Sequence, residues 1–124
     1  MPAQRPEEIP GMIAAAFNEG GPTDLVALYE PEAVLVVPSS GEQVHGLEAI
    51  SARAHAMFNH ITGARIDVVA KVQSDGLAMT HADWTLTESG TDGPGAATSG
   101  RGTVVSRRQP DGTWLVVFDN PLSA

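Results

Sequence analysis

Cysteine is missing from the chain altogether. That removes disulfides, thiolate nucleophiles and every cysteine-based metal site. Positive charge is scarce. Seven Lys and Arg stand against fifteen Asp and Glu, Lys71 is the sole lysine, and the formal net charge is −8. A duplex-binding surface needs several cations to displace counterions, so nucleic acid and anionic membranes are poor partners. The acidity itself reads as solubility. Long apolar runs are lacking too. The longest, Ala33 to Val37 and Leu115 to Phe118, are far too short to cross a bilayer. The opening residues, Met1 to Glu8, carry no apolar core of the kind a secretory leader needs, and a cytoplasmic location is the expectation.

Two further signatures are absent. The histidines, His45, His55, His60 and His81, include no His-x-x-x-His pair on one helix face, so no zinc site is expected. No glycine-rich phosphate loop is present. Gly20-Gly21-Pro22 reads as a helix stop, and Gly100-Arg101-Gly102 lacks a strand-turn-helix context. The reading therefore calls for no metal and no cofactor.

What is there suits one domain over residues 1–124, with 42% apolar residues to build its core. Ile9, Met12, Ile13, Ala16 and Phe17 recur at helical spacing. Pro10 either delays that helix or costs it a hydrogen bond. Thr23 or Asp24 caps a short second helix carrying Leu25, Val26, Leu28 and Tyr29, and Pro31 breaks it. Ala33 to Val37 reads as a buried strand ended by Pro38-Ser39-Ser40-Gly41, and Gln43 to Gly46 as a brief extended piece. A third helix is expected from Leu47 to about Ile61, with Ile50, Ala54, Met57 and Phe58 on its apolar face.

Strands follow. Ala64 to Gln73 and Leu77 to Thr87 alternate, and Glu88 to Gly100 reads as a long loop. Arg101 to Arg108 and Thr113 to Asn120 form a hairpin around Gln109-Pro110-Asp111-Gly112. Three helices followed by a run of antiparallel strands make an α+β domain, with three N-terminal helices covering one face of a curved sheet. The last two strands are apolar on both faces, so something must cover the second face. The expected cover is a second copy of the chain, in a homodimer built on the sheet. A terminal segment folded over that face is the other possibility.

Residues 16 to 34, from Ala16-Phe17-Asn18-Glu19 to Glu32-Ala33-Val34, resemble the opening of SnoaL-like proteins of the nuclear transport factor 2-like superfamily. His45 to Ile50 is similar to their approach to the third helix. Gly100 to Thr103, Arg107 to Trp114 and Asp119-Asn120-Pro121 are similar to their closing hairpin. The subgroup it resembles is the SgcJ/EcaC-like set, akin to the association domain of calcium/calmodulin-dependent kinase. The resemblance implies a cone-shaped roll with a pocket inside. It says less about chemistry, because the superfamily hosts isomerases, cyclases, dehydratases and non-enzymatic modules. Ketosteroid isomerases of this fold use a Tyr, an Asp base and a second, protonated Asp. Those positions fall at Ile13, at Val37 and near Arg101 and Gly102, so that mechanism should be absent.

Candidate site residues are polar groups expected to point into the cone. His81 and Asp83 share a strand face, and the resemblance puts Asp83 in the cavity wall. Both are candidates for acid–base work, Asp83 paired with His81 or with Arg101. Arg101, Thr103 and Asn120 from the hairpin, Tyr29, His55 and Phe17 are candidates for ligand binding. With a Gln109 to Gly112 turn, Arg101 should lie opposite Asn120 and Thr103 opposite Phe118. A one-residue slip would instead send Asp119 inward. The competing reading of Asp83 and Arg101 is an ion pair that braces two strands inside the cone.

Two functions are compatible with these residues. One is a cofactor-independent isomerase, cyclase or hydratase acting on an apolar metabolite in a pocket of several hundred Å³, the usual ligand range. The other is a non-catalytic binding or dimerisation module.

Overall fold

The computed structural model describes residues 3–37, 40–89 and 97–122. A single 3-10 turn, Pro6–Glu8, leads into α1 (Ile9–Glu19). Pro10 sits in the first turn of α1, where its missing N–H has no helical partner to lose. The Glu8 carboxylate accepts from the backbone N–H of Gln4 at 2.9 Å and fixes the approach. α2 is only Pro22–Val26; its N-cap is Gly21 rather than Thr23 or Asp24, and Asp24 in the first turn reaches back, its Oδ2 accepting the Gly21 N–H at 2.9 Å. Leu28 and Tyr29 lie beyond it, and Tyr29 opens β1 (Tyr29–Val36) rather than ending a helix. Pro31 is tolerated because the β1–β6 pairing is interrupted between Tyr29 and Val34.

β2 (Gln43–His45) and α3 (Leu47–Phe58) follow, so the third helix comes after two strands and not before the sheet. Ile61 belongs to β3 (Ile61–Gln73), which is followed by β4 (Leu77–Glu88), β5 (Ala97–Arg108) and β6 (Trp114–Asn120). Part of the long loop expected over Glu88 to Gly100 is therefore strand, since Gly100 pairs with Trp84. The remainder of that loop, 90–96, lies outside the described residues, as do Pro38 and Ser39.

The six strands form one open sheet in the order β2-β1-β6-β5-β4-β3. Every pairing is antiparallel except β1 with β6. The β5–β6 turn is where the sequence places it. Gly112 has φ of 86°, and Asp111 Oδ1 accepts from the Thr113 hydroxyl at 2.6 Å.

The helices cover one face, here called inner. β4 presents Ala78, Thr80, Ala82 and Trp84 to that face, all buried. Ile9, Leu25, Ile50 and Val116 complete the centre of the core. Full burial of each such aliphatic side chain contributes about 1.5–3 kcal/mol.

Two glycines of β5 leave room for what closes the inner face. A Cβ on Gly100 would stand 2.6 Å from the Trp84 ring, and one on Gly102 would stand 2.6 Å from Pro121 Cα. The Trp84 indole N–H donates to Pro121 O at 2.8 Å and pins the segment after β6 over the sheet. Gly102 faces backbone, which cannot swing aside as a side chain can. Gly102→Ala should therefore destabilise the fold by about 1–3 kcal/mol, the usual cost of overpacking, read from urea unfolding midpoints.

Candidate functional site

The inner face lines a partly open cavity of about 80 Å³. Ile13 and Phe17 of α1 form one wall, Ala82 and Trp84 another, and Tyr29, Leu35 and Asp119 a third. Phe17 stacks on Phe58 of α3 with ring centroids 4.6 Å apart. Small residues, Ala82 and Gly102, form part of its lining, and Pro121 packs closely over Gly102.

Asp119 reaches this space through a β-bulge. From Arg108↔Trp114 to Ser106↔Val116 the hairpin is regular, with Trp114 and Val116 inward. The next pair is Val105↔Phe118, so β6 spends one extra residue, Val117. The alternation resets there. Phe118 turns outward, and Asp119, opposite Val104 and Leu35, turns inward.

Tyr29 meets it from the start of β1, where it pairs with Val116. The Tyr29 hydroxyl donates to Asp119 Oδ2 at 2.5 Å. Burial raises the Asp119 pKa to about 6, against the pull of that hydrogen bond. The same burial, followed by the Asp119 charge, holds the Tyr29 pKa well above its ordinary value, so the phenol stays protonated. The site thus combines a carboxyl that titrates near neutrality with a fixed hydroxyl donor in apolar surroundings. Such a carboxyl can take up and return a proton without metal help.

The residues expected at the site divide. Phe17 and Tyr29 line the cavity. Thr103 borders it, while its hydroxyl lies 3.0 Å from His81 Nδ1. His81 and Asp83 occupy the outer face of β4, opposite the buried Ala82 and Trp84. The inward orientation expected of Asp83 is therefore corrected. Arg101 Nε donates to Asp83 Oδ1 at 2.7 Å, as the ion-pair reading expected, but both side chains are about half exposed, at 55% and 51%. The guanidinium lowers the Asp83 pKa. Asn120 pairs with Thr103 rather than Arg101, because of the bulge, and its Oδ1 accepts the Leu122 N–H at 3.1 Å. His55 is exposed on α3, its Nδ1 2.8 Å from Ser51 O.

The reason for the exchange of faces on β4 is energetic. Both faces mix apolar and polar residues, with Leu77 and Met79 on one and Thr80 on the other. Burying Trp84 with three small residues requires no charge to be desolvated, whereas burying Asp83 would. Asp119 was not among the candidate site residues, and the sequence placed it inward only if the closing hairpin slipped by one residue, which the bulge brings about. Its signal was the register of the closing hairpin, where a single added residue changes which side chains face in.

Among the described residues no group of three His, Cys, Asp or Glu could hold a metal ion. No helix among them is long and apolar enough to cross a membrane.

Comparison with known proteins places the chain in a family. The family model described as the SnoaL-like domain matches residues 11–117, and the chain belongs to that family. Solved structures of the same fold include three with modest identity. A Thiobacillus denitrificans protein ascribed to the calcium/calmodulin-dependent protein kinase type II association domain is 21% identical, with TM-score 0.75, covering 99% of this chain and 98% of its own. A ketosteroid isomerase-like protein from Erwinia carotovora atroseptica is 19% identical, with TM-score 0.74, covering 91% and 88%. A nuclear transport factor 2-like superfamily protein from Salmonella enterica serovar Typhimurium is 18% identical, with TM-score 0.75, covering 94% and 88%. No curated protein matches the sequence.

The Asp119 pKa has a consequence for stability. In an unfolded chain the group titrates near 3.9. Below about pH 4 both states hold the proton. From there to about 6 the folded chain keeps a proton that the unfolded chain releases, so stability falls as pH rises. Above 6 the full penalty, roughly 3 kcal/mol for a gap of that size, is in place. Asp119→Asn keeps the shape and removes the charge. It should raise stability at pH 8 by up to about 3 kcal/mol and change it little at pH 4, measured by chemical denaturation at both pH values.

Proposed function

We propose that the protein is a small-molecule pocket protein of the SnoaL-like class in which Asp119 exchanges a proton with the bound molecule, without a cofactor. The observation that carries this reading is a carboxyl with a pKa of about 6 turned into an apolar cavity and oriented by the Tyr29 hydroxyl. Isomerase or hydratase chemistry needs a group able both to accept and to return a proton near neutral pH. The Erwinia protein's ketosteroid isomerase-like designation fits acid–base work of that kind. The three-residue isomerase machinery is not expected to carry over, because its positions fall at Ile13, at Val37 and near Arg101 and Gly102. The cavity also argues for a smaller molecule than the sequence suggested. Its volume of about 80 Å³ is well under the several hundred expected.

A second reading, a non-catalytic binding module, draws on a different observation. The Tyr29 hydroxyl is committed to Asp119, and no acid or base besides these two lines the cavity among the described residues. A ligand-observed magnetic resonance screen of small neutral, cationic and anionic compounds at pH 5 and pH 8 addresses both readings. Binding that changes across pH 6 in wild type and not in Asp119→Asn is expected. Turnover, where it occurs, should follow the same titration. Binders indifferent to pH and to the substitution would sink the assignment of Asp119. Tyr29→Phe, which removes the donor, should move the Asp119 titration further above 6 in carboxyl carbon resonance measurements.

We also propose that the outer face of the sheet meets a second copy of the chain, at a cytoplasmic location. Support comes from one cross-strand row, Val34–Phe118–Val105–Met79–Val72, running over five strands in register. Phe118 and Val72 in this row are 51% and 60% exposed, a contiguous apolar strip that a twofold partner would cover with its own. Wild type should sediment as a dimer and Phe118→Glu as a monomer. A monomeric wild type would remove the proposal.

A further inference from the structure

We propose that the cavity takes a small protonated amine, its ammonium on Asp119 and its alkyl part against the aromatic wall. The proposal rests on the pocket reading above and adds the class of molecule. Four observations converge on it.

The first is charge. Asp119 is the only charged residue lining the cavity among the described residues. None of the seven Lys and Arg lines the cavity, and six pair with other carboxylates: Arg5 with Glu8, Arg53 with Glu42, Arg65 with Asp67, Lys71 with Glu7, Arg101 with Asp83 and Arg107 with Glu30. A carboxylate in apolar surroundings without a cation is costly, and a cationic ligand removes that cost on binding.

The second is the hydrogen-bond inventory. Tyr29 donates to Oδ2, and the carboxylate's remaining lone pairs are acceptors only. An ammonium supplies N–H donors and no acceptor, which is the complement of a carboxylate already holding one donor. The Tyr29 hydroxyl has spent its one proton on Asp119, so an anionic or carbonyl ligand would find no donor there while Asp119 is ionised.

The third is the wall. Phe17, Tyr29 and Trp84 border the cavity, and aromatic faces attract alkylammonium groups. Leu35, Ile13 and Met57 receive the alkyl part.

The fourth is size. A closed cavity of about 150 Å³ holds benzene, so the 80 Å³ of this partly open one suits about three to five non-hydrogen atoms held inside.

The pKa near 6 agrees with these four, since the carboxyl is ionised at neutral pH and ready for a cation. Tyr29 is the only other titratable group facing Asp119 among the described residues. β1 otherwise presents Leu35, β5 Gly102 and Val104, and α1 Ile13 and Phe17.

Isopropylammonium and isopropanol differ in charge at nearly constant shape, and they make the test. Calorimetric or magnetic resonance titration of the full chain at pH 8 should show isopropylammonium binding at least tenfold more tightly than isopropanol. The preference should shrink at pH 5, where Asp119 is protonated, and disappear in Asp119→Asn, whose retained fold is checked by its unfolding transition. Equal or tighter binding of isopropanol in wild type would overturn the amine assignment and leave the pocket reading standing. Binding of neither probe, with no shift of the Ile13, Leu35 and Met57 methyl resonances, would overturn both. A preference for the ammonium that survives in Asp119→Asn would also overturn the proposal, because the cation would then sit elsewhere.

Discussion

The hydrogen bond from Tyr29 to Asp119 joins the two parts of the chain that the fold must bring together, the start of β1 and the end of β6. It depends on the one parallel pairing in the sheet, in which Tyr29 lies beside Val116 and the Val116 N–H donates to Leu28 O at 2.8 Å. It also depends on the extra residue in β6, without which Asp119 would face solvent. Both devices serve a group whose ionisation opposes folding. A buried carboxylate is the kind of feature that stability alone does not favour, and the phenol that orients it offsets part of the penalty.

The cavity follows from size complementarity across the inner face. Trp84 lies over Gly100, and Pro121 over Gly102. These contacts let the segment after β6 close the cavity next to the residue that gives it chemistry. Closure and chemistry therefore share one short stretch, Asp119 to Pro121. α1 supplies the opposite wall with Ile13 and Phe17, and α3 supports Phe17 through Phe58.

The outer face follows a different logic. Its charges are paired in the open, as with Asp83 and Arg101, and they are screened there by water and salt. Between the charged row and the turn runs the apolar row through Phe118 and Val105. Water-accessible ion pairs need no desolvation, and an exposed apolar row gains from a partner. The two faces of one sheet are thus divided between a recessed apolar site and an open surface.

Much of the architecture was legible in the sequence because it rests on local signals. Helical spacing located α1 and α3, Gly20-Gly21-Pro22 stopped the first helix, and Gln109 to Gly112 marked the turn. The SnoaL-like pattern was carried by residues at those same turns and helix starts, so the family was readable with them. Composition removed thiol chemistry outright. The facing of β4 was not legible, because His81-Asp83-Thr85 and Ala82-Trp84-Leu86 each form an alternating set of mixed polarity. Asp119 was legible only as the consequence of a register slip, and whether the slip occurs was not, since a bulge is a property of two strands and leaves no trace in the alternation of one. Local sequence determines which segments become helices, strands and turns. Which polar side chain enters the cavity is decided by pairing between distant strands, because a shift of one residue there reverses every side chain beyond it.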